Sequence, residues 1–307
     1  MQGKLIILGA GSALPTRNNF PTSQILELRE KQYMIDCGEG TQIRMRQMGL
    51  KINRLGHIFI SHLHGDHCFG LIGLISSFGM LNRTADLYIH GPVGITGLFE
   101  PQIAFFCEDL PFKLIFEEYD TRLNALIFED RSVAVYSIPL KHRVPCSGFL
   151  FREKAADRHI IREMIDFYQV PVSQINLIKG GADFITPDGD LIPNERLTSA
   201  PESTVSYAYC SDTAYSEKII PIIKGVDLLY HEATFAETEK IRAKKTMHST
   251  AKQAATIALK AEVGQLLIGH FSARYANQQV LLDEAVSIFE HTILAEDMCV
   301  YEFSNIR

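Results

Sequence analysis

The sequence lacks the features that would assign it to a membrane or to an oxidising compartment. Its hydrophobic runs fall short of the roughly 18 consecutive apolar residues that span a bilayer. The first residues lack the charged, apolar and small-residue pattern of a secretory signal, and the six cysteines show no paired spacing. We therefore expect a soluble, cytoplasmic protein without a membrane segment.

Positive charge is also scarce, because 30 Lys and Arg residues stand against 36 Asp and Glu residues, for a net charge of −6. Such a balance is a poor match for a nucleic acid, whose binding usually rests on cations that neutralise phosphates. Local basic patches would have to compensate, although such patches are more often solvated surface. The candidates are Arg44, Arg46, Lys51 and Arg54, and separately Arg242, Lys244 and Lys245.

The chain is a succession of apolar strand-like runs and helical patterns, which predicts an α/β fold with two halves facing each other. At 307 residues and 46% hydrophobic content it can bury a large core, and we interpret residues 1–307 as one domain. The exception is a segment that carries one amphipathic helix pattern over 159–168, followed by a stretch rich in Gly, Asp and Pro. We interpret residues 152–200 as an inserted, protruding arm.

The densest chemical signal is the run Ser-His-Leu-His-Gly-Asp-His over residues 61–67. In an extended stretch, His62 and His64 project to the same side, and Gly65 lets the chain turn so that Asp66 and His67 face a second position. Imidazole and carboxylate groups suit Zn²⁺ and similar divalent ions. Histidines also gather on wet loops without a function, but the density of ligand types here favours a site for two metal ions.

Three further ligand types each follow an apolar run that is typical of a strand. The runs 133–138, 205–210 and 265–268 lead to His142, Asp212 and His270. Ligand sites in α/β folds gather at the carboxyl ends of strands, so we expect these side chains to converge with the first run. Cys68 and Cys210 stand beside ligands, but we interpret them as small buried hydrophobic residues.

Seven candidate ligands for two ions require one that bridges, and only a carboxylate offers two oxygen atoms for this. We assign three groups: His62, His64 and His142 to a first ion, Asp66, His67 and His270 to a second, and Asp212 between them. We expect two Zn²⁺ per subunit, with Mn²⁺ or Fe²⁺ as alternatives. Two such ions activate water and clamp the oxygens of a phosphodiester, so hydrolysis is the predicted chemistry.

These motifs resemble those of the metallo-β-lactamase superfamily and, within it, ribonuclease Z. The resemblance covers nearly the whole chain, over residues 5–11, 36–42, 61–67, 142–145, 211–213, 231–234, 248–250 and 269–275. The first ligand run marks only the superfamily, whereas the last three motifs together mark the ribonuclease. The resemblance implies a four-layer αβ/βα sandwich and an endoribonuclease that removes the 3′ trailer from precursor tRNA. The tRNA would keep a 3′ hydroxyl and the trailer a 5′ phosphate.

The resemblance also implies catalytic roles for three residues. Asp66 corresponds to a proton acceptor that is also a second-site ligand, His248 to the group that protonates the departing 3′ oxygen, and Glu232 to the carboxylate that holds the imidazole of His248. A His supported by a carboxylate is a suitable acid near neutral pH. A structural alternative places His248 simply at the start of a helix over 251–261, which Ser249 and Thr250 would cap.

In ribonuclease Z the arm is an exosite that grips tRNA, and a homodimer lets the arm of one subunit serve the active site of the other. This chain departs from the family in two places. It has Val170-Pro171-Val172-Ser173 where the arm usually carries a Gly-Pro pair after Val-Pro. In the loop 15–20 that senses the tRNA 3′ end, it keeps only Pro15 and a cation at Arg17. Both departures bear on substrate choice, including discrimination at the CCA end.

Asp36 has two readings, since it either orients a ligand His through its other ring nitrogen or stabilises the turn that follows it. Two other functions also stay open. One is a phosphodiesterase of the same superfamily that acts on small or other RNA substrates, and the other is a non-catalytic RNA-binding relative. The complete ligand set argues against the second, because a relative without chemistry would be expected to lose a ligand.

Overall fold

The computed structural model describes residues 2–16 and 19–305, so Arg17, the cation predicted in the loop 15–20, lies outside the described residues. The strands are β1 (Gly3–Gly9), β2 (Ser23–Leu28), β3 (Lys31–Cys37), β4 (Leu55–Phe59), β5 (Leu87–Pro92), β6 (Leu114–Tyr119), β7 (Leu126–Glu129), β8 (Val133–Pro139), β9 (Ser147–Glu153), β10 (His159–Ile160), β11 (Phe184–Ile185), β12 (Leu191–Ile192), β13 (Thr198–Ser199), β14 (Ser206–Cys210), β15 (Leu228–Glu232), β16 (Gln265–Gly269), β17 (Thr292–Leu294) and β18 (Val300–Phe303). The helices are α1 (Thr41–Gln47), α2 (Gly65–Cys68), α3 (Gly70–Met80), α4 (Ile95–Phe106), α5 (Arg162–Phe167), α6 (Ile175–Lys179), α7 (Asn194–Leu197), α8 (Ile220–Ile223), α9 (Lys240–Thr246), α10 (Ala251–Lys260) and α11 (Gln279–Val286).

Fourteen of the strands form two sheets of seven. The first has the order β18-β1-β2-β3-β4-β5-β6 and the second the order β17-β16-β15-β14-β9-β8-β7. Strands β3 to β6 are parallel, and so are β14 to β17, whereas the remaining neighbours are antiparallel. Each sheet therefore presents the carboxyl ends of several strands at one edge.

Strand alternation divides the core into layers. Leu5 and Ile7 of β1 belong to the apolar cluster between the two sheets, whereas Ile6 and Leu8 belong to a cluster under α1, α3 and α4. A third cluster joins the second sheet to α8, α10 and α11. The order is helices, sheet, sheet, helices, which confirms the predicted four-layer α/β class.

The segment between β9 and β14 forms small elements of its own. Two short strand pairs, β10 with β13 and β11 with β12, surround a separate apolar cluster of residues that includes Ile165, Ile178 and Leu197. The helix predicted over 159–168 is shorter, since α5 spans Arg162–Phe167. The prediction was wrong at its start because His159 and Ile160 pair with residues of β13, a long-range contact that local sequence does not report.

Among the described residues, no helix combines the length and the apolar character that crossing a membrane requires.

Candidate metal centre

Four strand ends deliver the candidate ligands to one place. The run 61–67 follows β4, His142 follows β8, Asp212 follows β14 and His270 follows β16. Gly65 begins α2, so the chain turns after His64 and carries Asp66 and His67 onto a different path. The structure brings together all seven side chains that the sequence singled out, in the groups His62, His64, His142 and Asp212, and Asp66, His67 and His270.

Three residues of the centre adopt a left-handed backbone that non-glycine residues seldom use. Asp36, Asp212 and His270 have φ values of 57°, 57° and 59°, and each lies at or just beyond the end of a strand. Such backbone costs on the order of 1–3 kcal/mol per residue and persists where surrounding structure enforces it. The surrounding fold therefore holds these side chains toward the cleft at a cost in stability.

The first group converges through specific ring nitrogens. His62 Nε2 lies 3.0 Å from His64 Nδ1, and His142 Nε2 lies 3.4 Å from the same atom. The Oδ1 atom of Asp212 is 3.9 Å from His62 Nε2 and 3.7 Å from His142 Nε2. Ligand atoms that share a tetrahedral Zn²⁺ at about 2.0–2.1 Å lie about 3.3 Å apart, so these separations suit one shared ion.

The second group faces the other oxygen of the same carboxylate. Asp212 Oδ2 lies 3.0 Å from His67 Nε2 and 3.1 Å from His270 Nε2. Asp66 Oδ2 lies 3.6 Å and 3.8 Å from the same two nitrogens. Asp212 thus directs one oxygen to each group, which is the arrangement a bridging ligand requires.

The chemistry of the second group fits a divalent cation. The Nε2 atoms of His67 and His270 are buried and have no hydrogen-bond partner within residues 2–16 and 19–305. Their Nδ1 atoms are occupied, because Asp36 Oδ2 lies 2.7 Å from that of His67 and Thr234 Oγ1 lies 3.1 Å from that of His270. Two orphaned imidazole nitrogens between two carboxylates form a donor set that a divalent ion would satisfy.

The electrostatics of the two groups differ. Burial lowers the pKa of His67, but the surrounding carboxylates of Asp212, Asp36 and Asp66 outweigh it and raise that pKa well above its usual value. The pKa of His62 is lowered, mainly by burial and by the neighbouring His67. The second group therefore attracts positive charge strongly, and a divalent cation would take the place of the proton.

Asp36 is hydrogen-bonded to residues that lie next to the candidate ligands. Its Oδ1 accepts the backbone N–H of Ser61 at 2.8 Å, and its Oδ2 accepts the hydroxyl groups of Ser61 and Tyr209 at 2.9 Å and 2.7 Å. The same oxygen lies 2.7 Å from His67 Nδ1. Of its two readings, the one in which it holds a candidate ligand His matches the contacts, and a carboxylate behind a His fixes the tautomer and the ring orientation.

Glu232 is buried beside the two groups of candidate ligands, and both of its oxygens accept hydrogen bonds. Its Oε1 accepts the backbone N–H of Thr213 at 2.6 Å and its Oε2 that of Ser249 at 3.0 Å, while the Thr234 hydroxyl donates to Oε2 at 2.6 Å. Oε1 also lies 3.0 Å from His248 Nδ1. Burial lowers the pKa of His248, but attraction and the hydrogen bond from Glu232 raise it to about 9.

His248 lies close enough to Asp212 and His270 to share an ion with them. Its Nδ1 is nearer to Glu232 Oε1, at 3.0 Å, than to Asp212 Oδ1, at 3.9 Å. Of the two predicted capping residues, Thr250 caps α10 through reciprocal hydrogen bonds with Gln253, whereas the Ser249 hydroxyl donates to the carbonyl oxygen of Thr213. His248 therefore precedes a capped helix and also faces the cleft.

The two cysteines beside the ligands are thiols rather than thiolates. Burial raises the pKa of Cys68 to about 12, and it raises that of Cys210 further. A metal-binding cysteine requires the opposite shift. These directions agree with the interpretation of both residues as small buried hydrophobic groups.

Three supporting contacts escaped the sequence analysis. The backbone N–H of Ala13 donates to Asp66 Oδ2 at 2.8 Å, the carbonyl oxygen of Met247 lies 3.2 Å from His142 Nδ1, and Thr234 lies behind His270. The first two use backbone atoms, which carry no residue signature. Thr234 lies within the motif 231–234 and could have been suspected from that motif alone.

A cavity of about 260 Å³ opens above these groups. Its lining includes His64, Asp66, His142, Asp212 and His270, together with His248. Five of the seven candidate ligands thus face the cavity, and a molecule that enters it meets His248 at the same time.

Comparison with known proteins places this geometry in a family. The sequence model of the family described as Anti-Pycsar protein Apyc1 matches residues 3–100. Ribonuclease Z of Bacteroides thetaiotaomicron is 61% identical over 298 residues, covering 97% of this chain and 94% of that protein. Ribonuclease Z of Porphyromonas gingivalis strain W83 is 53% identical over 291 residues, covering 95% of this chain and 96% of that protein.

Solved structures agree on the fold. The crystal structure of human tRNase Z, short form, matches with a TM-score of 0.71 at 24% identity, covering 99% of this chain and all of that one. The metallo-β-lactamase fold protein YhfI from Bacillus subtilis matches with a TM-score of 0.68 at 18% identity, covering 98% of this chain and all of that one. The fold is therefore of the metallo-β-lactamase type, and full-length identity above one half with curated relatives shows that this chain belongs to the ribonuclease Z family.

Proposed function

We propose that this protein is a metal-dependent endoribonuclease that removes the 3′ trailer from precursor tRNA. The cut leaves a 3′ hydroxyl on the tRNA and a 5′ phosphate on the trailer. Family membership supports the substrate class, since relatives at 53–61% identity over nearly the whole chain carry the name ribonuclease Z. Asp212 is the observation that carries the proposal, because its two oxygens address two separate groups of candidate ligands.

The residues present fit two Zn²⁺ ions, with Mn²⁺ or Fe²⁺ as alternatives that accept the same donors. His62, His64 and His142 would hold one ion, Asp66, His67 and His270 the other, and Asp212 both. When bound, the ions would activate a water molecule and neutralise the phosphate oxygens.

The protein's own groups would handle the protons. We assign His248 as the donor to the departing 3′ oxygen, because Glu232 occupies its Nδ1 and leaves Nε2 for the cavity. Glu232 positions His248 without touching substrate. Asp66 directs Oδ2 to the second group, so its Oδ1 is the atom we assign as proton acceptor.

We propose that residues 1–307 form one catalytic domain from which an inserted arm protrudes. We retain residues 152–200 as the tRNA-binding arm, whose apolar side chains Phe167 and Val172 are 73% and 84% exposed. We also propose a homodimer, in which each arm serves the partner's cleft, and a cytoplasmic location, where precursor tRNA occurs. The free state of all six cysteines accords with a reducing compartment.

The test is to incubate the metal-loaded protein with a precursor tRNA that bears a 3′ trailer and to map both new ends. The proposal requires a cut beside the discriminator base that yields a 3′ hydroxyl and a 5′ phosphate. Hydrolysis of bis(p-nitrophenyl) phosphate without any tRNA cleavage would replace it with a phosphodiesterase of other substrates. Absence of both activities in protein that retains its metal would favour a non-catalytic RNA-binding relative.

A further inference from the structure

A groove continues from the metal cavity across the surface. A second cavity of about 620 Å³ shares His142 and Arg143 with the metal cavity. A third of about 350 Å³ shares Thr121, Arg122 and Pro145 with the second. We call the second and third cavities together the basic groove, after side chains that line it: Arg122, Lys141, Arg143 and Lys218.

The basic groove holds uncompensated positive charge in a protein whose net charge is −6. Asp120 is the one carboxylate among its described lining residues, and it is paired with Arg122 at 2.8 Å. Lys141, Arg143 and Lys218 are exposed and form no ion pair within the described part of the chain. Three free cations therefore face solvent along one path that leads to His142.

Three of the seven cations that the sequence singled out form ion pairs. Arg44 lies 3.6 Å from Asp297 and Arg54 lies 3.7 Å from Glu27. Arg242 is paired with Glu239 at 2.9 Å. Within the described part of the chain the other four, Arg46, Lys51, Lys244 and Lys245, form no ion pair, but none of them lines the metal cavity or the basic groove.

The loop that carries Lys141 and Arg143 is hydrogen-bonded to the candidate metal centre. Lys141 donates its N–H to Thr213 Oγ1 at 3.1 Å, and its carbonyl oxygen accepts the N–H of Ala214 at 2.9 Å. Both partners follow Asp212 directly. The loop that carries His142 and its two cationic neighbours is therefore tied to the loop that carries Asp212, so groove and cleft keep a constant spacing.

The shape and lining suit a single strand rather than a duplex. Pockets of a few hundred Å³ accommodate small ligands or a few nucleotides, whereas an A-form helix is far wider. Proteins bind single strands with a charged groove that follows the backbone and with aromatic faces on which bases stack. Tyr215 is half-buried in the wall of the basic groove, and Pro139 and Leu140 add apolar surface.

We propose that the basic groove binds the single-stranded trailer of the substrate, with Lys141, Arg143 and Lys218 contacting its phosphates. The proposal rests on the proposed function. The direction follows from His248, which would serve the 3′ oxygen that stays with the tRNA and which lines the metal cavity but not the groove. The groove meets the metal cavity at His142 and Arg143 and does not include His248, so we assign it to the strand that continues from the scissile phosphate.

The test compares two precursor tRNAs with identical bodies, one with a trailer of a single nucleotide and one with eight. The variant K141A/R143A/K218A should lose roughly 10- to 100-fold in kcat/KM on the long trailer, and at least several-fold less on the short one. The salt dependence of kcat/KM on the long trailer should weaken by about 2 in logarithmic slope, since each single-strand phosphate contact contributes about 0.7.

A matched control removes the same charge elsewhere. The variant K113A/R131A/K224A takes away three exposed cations that line neither the metal cavity nor the basic groove. Its kcat/KM relative to that of the wild type should be the same for the long and the short trailer. Metal content and thermal midpoint of both variants report whether they fold.

Each outcome of this test either supports or overturns the proposal. A loss that grows with trailer length in the groove variant alone supports the proposal. An equal loss on both trailers places the tRNA 3′ end in the groove and overturns it, and so does no loss on either. If the wild-type protein cleaves neither precursor while it hydrolyses bis(p-nitrophenyl) phosphate, the proposed function fails together with the groove, and the two failures are thereby distinguished.

Discussion

The candidate metal centre and the segment between β9 and β14 are built in opposite ways. The centre draws its side chains from four strand ends of two seven-stranded sheets, and His62, His67, Asp212 and His270 are all buried. The segment consists of strands of two residues and helices of four to six around a small cluster. The centre is therefore as rigid as the core, whereas the segment is stabilised mainly by its own few contacts.

Under the proposed function, this difference separates the residues of the chemistry from those of substrate binding. β9 and β14 pair at Ser206 and Arg152, so the segment leaves and rejoins the sheet at neighbouring points. We therefore expect it to tolerate changes in sequence or length that leave the candidate ligands in place. The two departures from the family pattern fall in the segment and in the loop 15–20, and neither involves a candidate ligand.

The largest effect should come from Asp212→Ala, which breaks the centre at the group shared by both halves. We expect loss of both ions and of detectable hydrolysis, because each half then lacks its buried carboxylate. Metal content by mass spectrometry and cleavage of precursor tRNA measure this. Asp283→Ala, at an exposed position on α11, is the matched control. Retention of two ions by Asp212→Ala would show that the carboxylate does not bridge.

Replacement of His248 by Ala should separate proton transfer from metal binding. The rate should fall by roughly 10²- to 10⁴-fold, the usual scale of general acid catalysis, while both ions stay bound. His291→Ala is a suitable control, since His291 is exposed and lies at the amino end of β17, away from the cleft. Loss of metal from the His248 variant would instead make that residue a ligand.

Replacement of residues 155–204 by a short Gly-Ser linker tests whether the segment between β9 and β14 binds the substrate. The paired ends at Arg152 and Ser206 allow the linker to span without distorting the sheet. We expect KM for precursor tRNA to rise by roughly 100-fold, as when about 3 kcal/mol of contact is lost, with metal content unchanged. An unchanged KM would mean that the segment does not bind the substrate.

The smallest effect is expected for Glu232→Gln. Both carboxylate oxygens accept donors, Oε1 from Thr213 and Oε2 from Ser249 and Thr234. Either orientation of the amide therefore turns an NH₂ group toward an N–H donor, which should tilt His248 and lower the rate by roughly 10- to 100-fold. Glu217→Gln, at an exposed carboxylate, is the control. A rate equal to that of the wild type would remove Glu232 from the positioning of His248.

The convergence of the candidate ligands was predictable because their positions follow from regular structure. His142, Asp212 and His270 each follow an apolar run, and those runs are strands that point to one edge of the molecule. A local sequence pattern therefore predicted that side chains from distant parts of the chain lie close together. Asp36 was undecided from sequence, because its partner His67 becomes visible only once β3 and α2 are placed together.

The rest depends on contacts that sequence does not record. The start of α5 was misplaced because β10 pairs with β13, nearly forty residues later in the chain. Lys141, Arg143 and Lys218 do not form a cluster in the sequence, although they line one groove. Arg44, Arg54 and Arg242 do belong to sequence clusters, yet each of them is ion-paired. Free charge is a property of the folded surface, so clustering in sequence is a weak guide to it.

The most direct test of the account is a crystal structure of the Zn²⁺-loaded protein, with the ions located by anomalous scattering. We predict two peaks roughly 3.5–4 Å apart, one on each side of the Asp212 carboxylate, within bonding distance of the two groups of histidines. A single peak, or peaks that leave His67 and His270 without a bound ion, would contradict the assignment of a two-metal centre.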